Sequence, residues 1–163
     1  LIEIVKENPT TLMEGFTVEV NLRFDEFFAE IFGSAETMYG CLIDYGLDTD
    51  TIFDPGRKGG TLRAYSKHGI LNDPLSCPGM IALTAHVNFD HASKAAEGCG
   101  FEVAGITDQY HFLVRGAEPW LMEIERGGDP DAETAKLLRQ FIMLFHPSVM
   151  GQNFKVMEIK KGI

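Results

Sequence analysis

Acidic and aromatic side chains follow a short apolar run in this sequence, where they could hold and deprotonate a ligand. Asp44, Tyr45 and Gly46 come directly after the apolar residues 39–43, which predict a buried strand. Ligands of open α/β sheets bind outside the carboxyl ends of the strands, so a carboxylate at this position can bind a cation and accept its proton. Tyr45, together with Tyr65 further along the chain, could form a wall of such a site or donate hydrogen bonds.

The polar segment after this strand end carries further side chains with binding chemistry. They are Arg63, Tyr65, His68 and His86. A guanidinium can bind a carboxylate through two hydrogen bonds, and an imidazole can orient a substrate or a loop. Each feature also has an ordinary structural interpretation. In that interpretation the strand-end aspartate caps a turn, the tyrosine after it belongs to the core, the histidine is a satisfied structural group, and the arginine pairs with a surface acid.

The histidines also allow a metal-dependent alternative. Residues 80–91 resemble the metal loop of metallo-β-lactamase-type hydrolases, in which an apolar strand is followed by His-x-His-x-Asp-His. His86, Asp90 and His91 fit this pattern. Asn88 stands where a histidine ligand is required and is a poor ligand for zinc, so the alternative predicts an incomplete metal site.

Periodic stretches predict the elements that must position these residues, since alternation indicates strands and a 3.6-residue apolar period indicates helices. Strands are predicted at 16–22, 39–46, 101–106 and 153–159. Helices are predicted at 23–32, from the N-cap Asn88 to Cys99, from Thr107 or Asp108 to Gly116, and from the N-cap Asp129 to the residue before Pro147. Residues 47–83 lack periodicity and predict a long loop, which would be either functional or disordered. This order predicts half of an α/β sheet with a final antiparallel strand.

Length and charge limit the classes of function. The chain has 163 residues, with 14 Lys and Arg against 24 Asp and Glu, and its net charge is −10. We therefore expect one domain and no nucleic-acid partner, since nucleic acids require clustered basic residues. The sequence contains no apolar stretch of 18 residues, so we expect no membrane insertion. Three cysteines without a CxxC pair indicate a reducing compartment.

No nucleotide-binding loop of the GxGxxG or Walker type occurs in the sequence. The nearest pattern, Gly98-Cys99-Gly100, follows a predicted helix. A glycine turn binds an anionic ligand when it precedes a helix, because the N–H groups at the helix start then point at the ligand. After a helix, glycine instead ends the helix, and this is the role that we predict.

The strand-end cluster and the segment after it resemble the MidA-like family of S-adenosylmethionine-dependent methyltransferases, which includes a mitochondrial arginine methyltransferase that assists respiratory complex I assembly. The matching blocks are Ile43-Asp-Tyr-Gly46, Gly60-Thr-Leu-Arg-Ala-Tyr-Ser-Lys-His68, Asp73-Pro-Leu75 with Pro78-Gly79, Leu83-Thr-Ala-His-Val-Asn-Phe89, Gln109 with Phe112-Leu113, and Met150-Gly151 followed by Phe154-Lys-Val156. Several blocks in the family's order make this resemblance more specific than any single motif.

The resemblance implies a class I methyltransferase-like (Rossmann-like) sheet, of which this chain is the carboxyl-terminal half. The strands at 39–44, 101–106 and 153–159 would be the last three of that sheet, with the terminal strand antiparallel between the other two. The cofactor would be S-adenosyl-L-methionine, and its main binding loop would lie in an amino-terminal half or a partner chain. The substrate would be protein arginine. The resemblance is compatible with a homodimer and with the bacterial cytoplasm or the mitochondrial matrix.

The resemblance also implies roles for individual residues within a single domain of residues 1–163. Asp44 and Tyr45 would be catalytic. The substrate-binding residues would be Gly46, Arg63, Tyr65, His68, His86 and Gln109, and residues 47–83 would form a lid or substrate loop. The sequence departs from the family pattern at Ala82 and Asn88, where aspartate is usual. Asparagine caps a helix about as well as aspartate, but Ala82 lacks a carboxylate.

A third interpretation is a non-catalytic interaction or assembly-factor domain. Phe112, Trp120, Leu121, Met122 and the stripe 141–145 could dock a partner. The same pattern is also typical of helix faces that pack into a core. The exposure of these side chains distinguishes the two.

Overall fold

The computed structural model describes residues 14–66, 69–146 and 153–163 of a mixed α/β protein. The chain divides into two compact units. The first unit comprises the residues up to Glu36 together with Tyr45–Phe101, and the second comprises Thr37–Asp44 and Glu102–Ile163. In these described ranges no helix is long and apolar enough to cross a membrane.

Helices and strands are interspersed along the chain. The helices are α1 (Phe24–Phe32), α2 (Thr49–Ile52), α3 (Phe89–Gly98), α4 (Gln109–Gly127) and α5 (Ala132–Phe145), with a 3₁₀ turn at Pro55–Arg57. The strands are β1 (Met38–Leu47), β2 (Arg63–Ser66), β3 (Gly69–Leu71), β4 (Ala82–Thr84), β5 (Val87–Asn88), β6 (Glu102–Asp108) and β7 (Phe154–Lys161). The predicted helix at 23–32 and the predicted strands at 39–46, 101–106 and 153–159 are therefore confirmed. The prediction that the strand at 39–46, which the structure describes in full, is buried is wrong, because Gly46 is its only buried residue.

Helix α1 packs on helix α3 in the first unit. Phe24 and Phe28 lie one turn apart on the buried face of α1, whereas α3 presents the small residues Ala92, Ala95 and Ala96. These alanines leave room for the phenylalanine rings, and Phe28 is completely buried. Burying one such side chain contributes about 1.5–3 kcal/mol.

Helix α3 begins and ends as its sequence predicts. The side chain of Asn88 accepts a hydrogen bond from the backbone N–H of His91 at 3.0 Å, which makes it the N-cap. At the other end Gly100 has a φ of +84°. The backbone N–H groups of Gly100 and Phe101 donate to carbonyl groups in the last turn of α3. This pair of bonds is a Schellman motif, which favours glycine because other residues are strained at positive φ.

The carboxyl end of β1 pairs in parallel with β5, with Gly46 opposite Val87. Gly46 is buried, and the ring of Phe89 fills the space where a side chain would lie. A Cβ atom at position 46 would be 2.2 Å from that ring and 2.6 Å from the carbonyl oxygen of Val87. Glycine at this position therefore lets the strand end approach the start of α3.

Residues 47–83 do not form the irregular loop that their lack of periodicity predicts. They contain α2, the 3₁₀ turn and most of a small antiparallel sheet in which β2 pairs with both β3 and β4. Strands of three or four residues are too short for alternation to identify them in a sequence. The role of this segment as a lid or substrate loop remains a prediction.

The alternating residues 16–22 do not form the predicted strand. Thr17 makes a parallel bridge to Gly59, and its backbone N–H donates to the carbonyl of Lys58 at 2.9 Å. Between residues 14 and 23, which the structure describes, no other residue lies in a strand ladder. Alternation predicts a half-buried extended backbone, but a strand also needs a neighbour with which to pair, and here the pairing ends after one bridge.

In the second unit β7 lies between β1 and β6. This confirms the predicted order of the three strands. β7 is antiparallel to β6, with Val103 opposite Ile159 and Ile106 opposite Met157. The register shifts between Val103 and Gly105. All side chains from position 156 to position 159 are buried, so β7 is the centre of this sheet.

Helix α4 begins at the predicted N-cap Asp108, whose side chain accepts from the backbone N–H of His111 at 2.8 Å. The predicted end at Gly116 is wrong, because the helix continues to Gly127 with Pro119 inside it. A glycine inside a helix costs only about 1 kcal/mol relative to alanine. Packing of α4 on α5 and on β6 and β7 offsets that cost.

Helix α5 begins later than predicted. Asp131, and not Asp129, is the N-cap, because its side chain accepts from the backbone N–H of Thr134 at 2.7 Å. Asp129 and Pro130 therefore belong to the connection between the helices. The rings of Trp120 and Phe141 meet at 5.6 Å between centroids, so these two members of the suggested docking stripe pack α4 on α5.

Candidate active site

Asp44 and Tyr45 occupy the carboxyl end of β1, where the sequence predicts them. Asp44 is exposed and Tyr45 is 43% exposed. Because successive side chains of a strand point to opposite faces, these two residues project from opposite faces of β1. The Asp44 carboxylate is accessible from solvent, and the catalytic roles of both residues remain predictions.

His86 is the predicted site residue that the structure brings beside Tyr45. The two rings are stacked, with their centroids 6.5 Å apart and an interplanar angle of 16°. The backbone N–H of His86 donates to Oγ1 of Thr61 at 2.9 Å, and Nδ1 of its ring is buried. The imidazole therefore lies beside Tyr45 at the end of β1.

Glu19, which lines a cavity, was not singled out by the sequence analysis. One carboxylate oxygen accepts from the backbone N–H and the hydroxyl of Thr61 at 2.8 and 2.9 Å, and the other accepts from the backbone N–H of Leu62 at 3.1 Å. Burial acts to raise the pKa of Glu19, but these hydrogen bonds outweigh it and hold the pKa below its ordinary value. Glu19 is therefore ionised at neutral pH. Its polar position in an alternating segment gave no signal of contacts with residues 42 positions away.

Glu19 and His86 line a cavity of about 250 Å³ in the first unit. The other lining residues are Val20, Asn21, Phe24, Phe53, Ala85, Val87, Asn88 and His91. Two of them form β5, which pairs with the end of β1, so the cavity adjoins that strand end. Burial lowers the pKa of His91, which makes its imidazole neutral at neutral pH.

Arg63 and Tyr65 project from the same exposed face of β2, since they are two residues apart. Nη1 of Arg63 donates to the backbone carbonyl of Leu62 at 2.7 Å. Tyr65 lies opposite Ala82 on β4, so the departure from the family pattern puts a methyl group, in place of a carboxylate, beside this tyrosine. The predicted site residue His68, like the block Met150-Gly151, lies outside the residues that the structure describes.

Gln109, which is predicted to bind substrate, is the first residue of α4 and is buried. Its side-chain amide donates to the backbone carbonyl of Leu144, in the last turn of α5, at 2.5 Å. This bond joins the start of α4 to the end of α5. It also gives a hydrogen-bond donor to one of the carbonyl groups that have no partner within the helix at its carboxyl end. A role for Gln109 in substrate binding remains a prediction.

The metal-dependent alternative gains no support from the geometry. Oδ2 of Asp90 accepts from the backbone N–H of Thr49 at 2.7 Å, and Asn88 caps α3. The ring of His91 contacts Phe24 edge-on, with centroids 5.1 Å apart. Across residues 14–66, 69–146 and 153–163, no three His, Cys, Asp or Glu side chains form a group that could hold a metal ion. The likeness to a hydrolase loop therefore reflects the start of a capped helix.

A buried carboxylate in the second unit is another feature that the sequence did not reveal. Glu158 on β7 accepts hydrogen bonds from the hydroxyl of Tyr39 on β1 and, at 2.6 Å, from the guanidinium of Arg115 on α4. The bond from Tyr39 lowers the pKa of Glu158, and the same bond raises the pKa of Tyr39 to about 12. At neutral pH the cluster therefore holds a carboxylate, a guanidinium and a protonated phenol.

Comparison with known proteins identifies relatives of this chain. Residues 1–107 match the sequence model of an S-adenosyl-L-methionine-dependent methyltransferase family. The mitochondrial protein arginine methyltransferase NDUFAF7 of Rattus norvegicus is 32% identical over 114 residues, which are 69% of this chain and 24% of that protein. NDUFAF7 of Danio rerio is 29% identical over 118 residues, which are 72% of this chain and 26% of that protein. The chain thus spans about a quarter of the length of the curated relatives that it matches.

Two crystal structures of proteins from Burkholderia thailandensis share the fold. A native structure has a TM-score of 0.83 and 25% identity, and the match covers 99% of this chain and 43% of that one. A second structure, bound to S-adenosyl-homocysteine, has a TM-score of 0.82 and 26% identity, and the match covers 99% and 42%. The class I methyltransferase-like sheet implied by the resemblance is thereby confirmed, and S-adenosyl-L-methionine is the cofactor named for the family whose model matches. The chain belongs to the MidA-like family of S-adenosyl-L-methionine-dependent methyltransferases.

Proposed function

We propose that these 163 residues form the substrate-binding side of an S-adenosyl-L-methionine-dependent protein arginine methyltransferase. The observation that carries the proposal is the end of β1. There Tyr45 stacks on His86 beside a cavity, and the exposed Asp44 is its neighbour in the sequence. In open α/β sheets this end of a strand is the one at which ligands bind.

The remainder of the active site would come from chain outside these residues. The chain spans 24% of rat NDUFAF7 and 42% of the protein bound to S-adenosyl-homocysteine. Its sequence contains no GxGxxG loop, the type of turn that brings backbone N–H groups close to a nucleotide-like ligand. The methyl donor would therefore be bound mainly by the other portion, and Tyr45 and His86 would face the substrate.

Methyl transfer to an arginine nitrogen needs a lone pair that is aligned with the methyl group of the sulfonium. The new N–C bond forms as the S–C bond breaks, and the nitrogen releases one proton. Holding the two reactants in line supplies much of the rate. A carboxylate such as Asp44 can accept that proton. The stacked rings of Tyr45 and His86 would form a wall that restricts the substrate.

The named relatives support the substrate class. Both NDUFAF7 proteins are described as mitochondrial protein arginine methyltransferases, which favours a protein substrate with an accessible arginine. On the same basis, we propose the mitochondrial matrix, or the cytoplasm of a bacterium, as the location. A homodimer and the exclusion of nucleic acid remain predictions, the second of which follows from the net charge of −10.

A chimaera tests the proposal. This chain replaces the matched portion of the Burkholderia thailandensis protein, and the chimaera is incubated with S-adenosylmethionine carrying a tritiated methyl group. The acceptors are peptides that contain arginine, lysine or neither. We expect label in the arginine peptides alone, as methylarginine after hydrolysis. A folded chimaera that binds S-adenosyl-homocysteine and labels no peptide would overturn the proposal.

A further inference from the structure

The cavity beside β5 carries a negative charge that its hydrogen bonds do not neutralise. Glu19 lines the cavity, and its partners are the backbone N–H and hydroxyl of Thr61, the backbone N–H of Leu62 and its own backbone N–H. These donors are neutral, so the carboxylate keeps its charge. The lining residues, all of which the structure describes, include no Lys or Arg. Two histidines, His86 and His91, also line the cavity, and burial lowers the pKa of His91.

The hydrogen bonds that the carboxylate of Glu19 already accepts come from uncharged donors. They are the N–H and O–H groups of Thr61, the N–H of Leu62 and the backbone N–H of Glu19 itself. A cationic group that enters the cavity would compete with these neutral donors, and a charge-assisted hydrogen bond is roughly twice as strong as a neutral one.

Aromatic rings form the apolar walls of the same cavity. Phe24 and Phe53 line it and are buried, and the ring of His91 lies edge-on to Phe24. Guanidinium is planar, weakly hydrated and able to stack on aromatic rings, whereas an ammonium is compact and strongly hydrated. A half-apolar cavity with one carboxylate therefore favours guanidinium over ammonium.

The size and position of the cavity fit the end of a single side chain. Its volume of about 250 Å³ is smaller than the pockets of about 300–1,000 Å³ that hold drug-sized ligands. It adjoins the end of β1, through β5 and through His86 stacked on Tyr45. A side chain that enters it would therefore lie close to the strand end at which methyl transfer is proposed.

We propose that this cavity binds the guanidinium group of the substrate's arginine side chain. Glu19 pairs with the positive charge, and Phe24 and Phe53 enclose the flat faces of the group. The identity of the substrate rests on the proposed function. The new element is the set of residues that select arginine, none of which was indicated by the sequence or by the resemblance.

Ligand binding to the 163-residue chain can be measured without methyl transfer. N-acetyl-arginine-N-methylamide is titrated into ¹⁵N-labelled chain, and the shifts of the backbone amides are followed. The matched ligands are the citrulline analogue, an uncharged isostere of arginine, and the lysine analogue. We expect the arginine probe to shift amides around Glu19, His86 and His91. Both analogues should bind about tenfold more weakly than the arginine probe, because citrulline lacks the positive charge and lysine lacks the planar guanidinium.

Two substitutions separate ligand binding from folding. Glu19→Gln keeps the size of the side chain and removes its charge, so the arginine probe should bind about tenfold more weakly. Glu19→Gln can also disturb the hydrogen bonds between Glu19 and Thr61, so a second variant is needed. Ala85→Phe should fill the cavity and leave these hydrogen bonds intact. Glu30→Gln, on the exposed surface of α1, is the matched control and should bind the probe as the unsubstituted chain does.

Several results would overturn this inference. They are equal binding of arginine and citrulline, tighter binding of lysine, unchanged binding in folded Glu19→Gln or Ala85→Phe, and shifts confined to residues away from the cavity. The titration contains no methyl donor, so its failure leaves the proposed methyltransferase activity untouched. Conversely, a chimaera that transfers no methyl group would leave the cation site standing if the arginine probe still binds.

Discussion

The phenolic hydroxyl of Tyr39 on β1 donates a hydrogen bond to the carboxylate of Glu158 on the adjacent strand β7. Arg115 on α4 donates to the other carboxylate oxygen at 2.6 Å, so the carboxylate joins the sheet to a helix. The side chain of Glu158 is 12% exposed and that of Arg115 is 61% exposed. Tyr39 is 53% exposed, so solvent weakens both interactions. The phenol has fewer rotatable bonds to fix than the arginine side chain and is therefore expected to be the more important partner.

Substitution of each partner of Glu158 measures this difference. Tyr39→Phe removes only the hydroxyl and should lower the free energy of unfolding by about 1–1.5 kcal/mol, below the full value of a hydrogen bond to a charged group because Tyr39 is 53% exposed. Arg115→Met should lower it by less than about 1 kcal/mol. Urea denaturation followed by circular dichroism gives both values. A larger loss for Arg115→Met than for Tyr39→Phe would contradict the assignment.

Acid should destabilise the chain through Glu19 and Glu158. The pKa of each is lowered from the ordinary value of 4.5, so the unfolded state takes up protons first as the pH falls. Their contribution to stability is complete above pH 4.5 and is lost as the pH drops from there through the folded-state pKa. We expect the urea midpoint to fall over this range, and to fall less in Glu158→Gln. An identical pH dependence in that variant would contradict the role of Glu158.

Local features of this chain could be predicted from the sequence, whereas contacts between distant residues could not. Asn88 and Asp108 are predictable N-caps because a cap needs only its own side chain and an N–H a few residues ahead. Glu158 stands in an alternating strand, where glutamate indicates a solvent-facing position, and its partner Tyr39 is 119 residues away. Glu19 was missed for the same reason, because its partners Thr61 and Leu62 are 42 and 43 residues away. The order of the three strands came from the family resemblance, since periodicity identifies strands and says nothing about their neighbours.

Gly46→Ala should strongly destabilise the chain. A Cβ atom at this position would lie 2.2 Å from the ring of Phe89 and 2.6 Å from the carbonyl oxygen of Val87. The backbone oxygen cannot move without breaking the pairing of β1 with β5, so we expect a loss of about 3 kcal/mol, at the upper end for overpacking. Gly105→Ala, in a strand with no atom within 4 Å of the new Cβ, is the matched control. Equal urea midpoints for the two variants would contradict this account of Gly46.

The 163-residue chain by itself should bind S-adenosylmethionine only weakly. Its sequence lacks a GxGxxG loop, and the first unit's cavity of about 250 Å³ is too small for a nucleoside with its amino-acid tail. Isothermal titration should show no binding in the micromolar range for this chain, and clear binding for the chimaera with the Burkholderia thailandensis protein. Micromolar binding by the chain alone would contradict the proposed division of the active site.

Asp44→Asn should lower methyl transfer by the chimaera without unfolding it. Asp44 is exposed, and substitutions at such positions usually change stability by less than about 0.5 kcal/mol. Loss of a general base lowers turnover by about 10²–10⁴-fold. Asp50→Asn, exposed on α2, is the matched control and should leave the rate unchanged.

The kinetic constants distinguish the two roles that a carboxylate at position 44 can have. If Asp44 accepts the proton of the guanidinium, Asp44→Asn lowers kcat and removes the acidic limb of the pH–rate profile, because that limb reports protonation of the base. If Asp44 only binds the cation, KM rises and kcat stays unchanged. An unchanged kcat/KM would exclude both roles, and the strand-end carboxylate would then be a structural feature of β1.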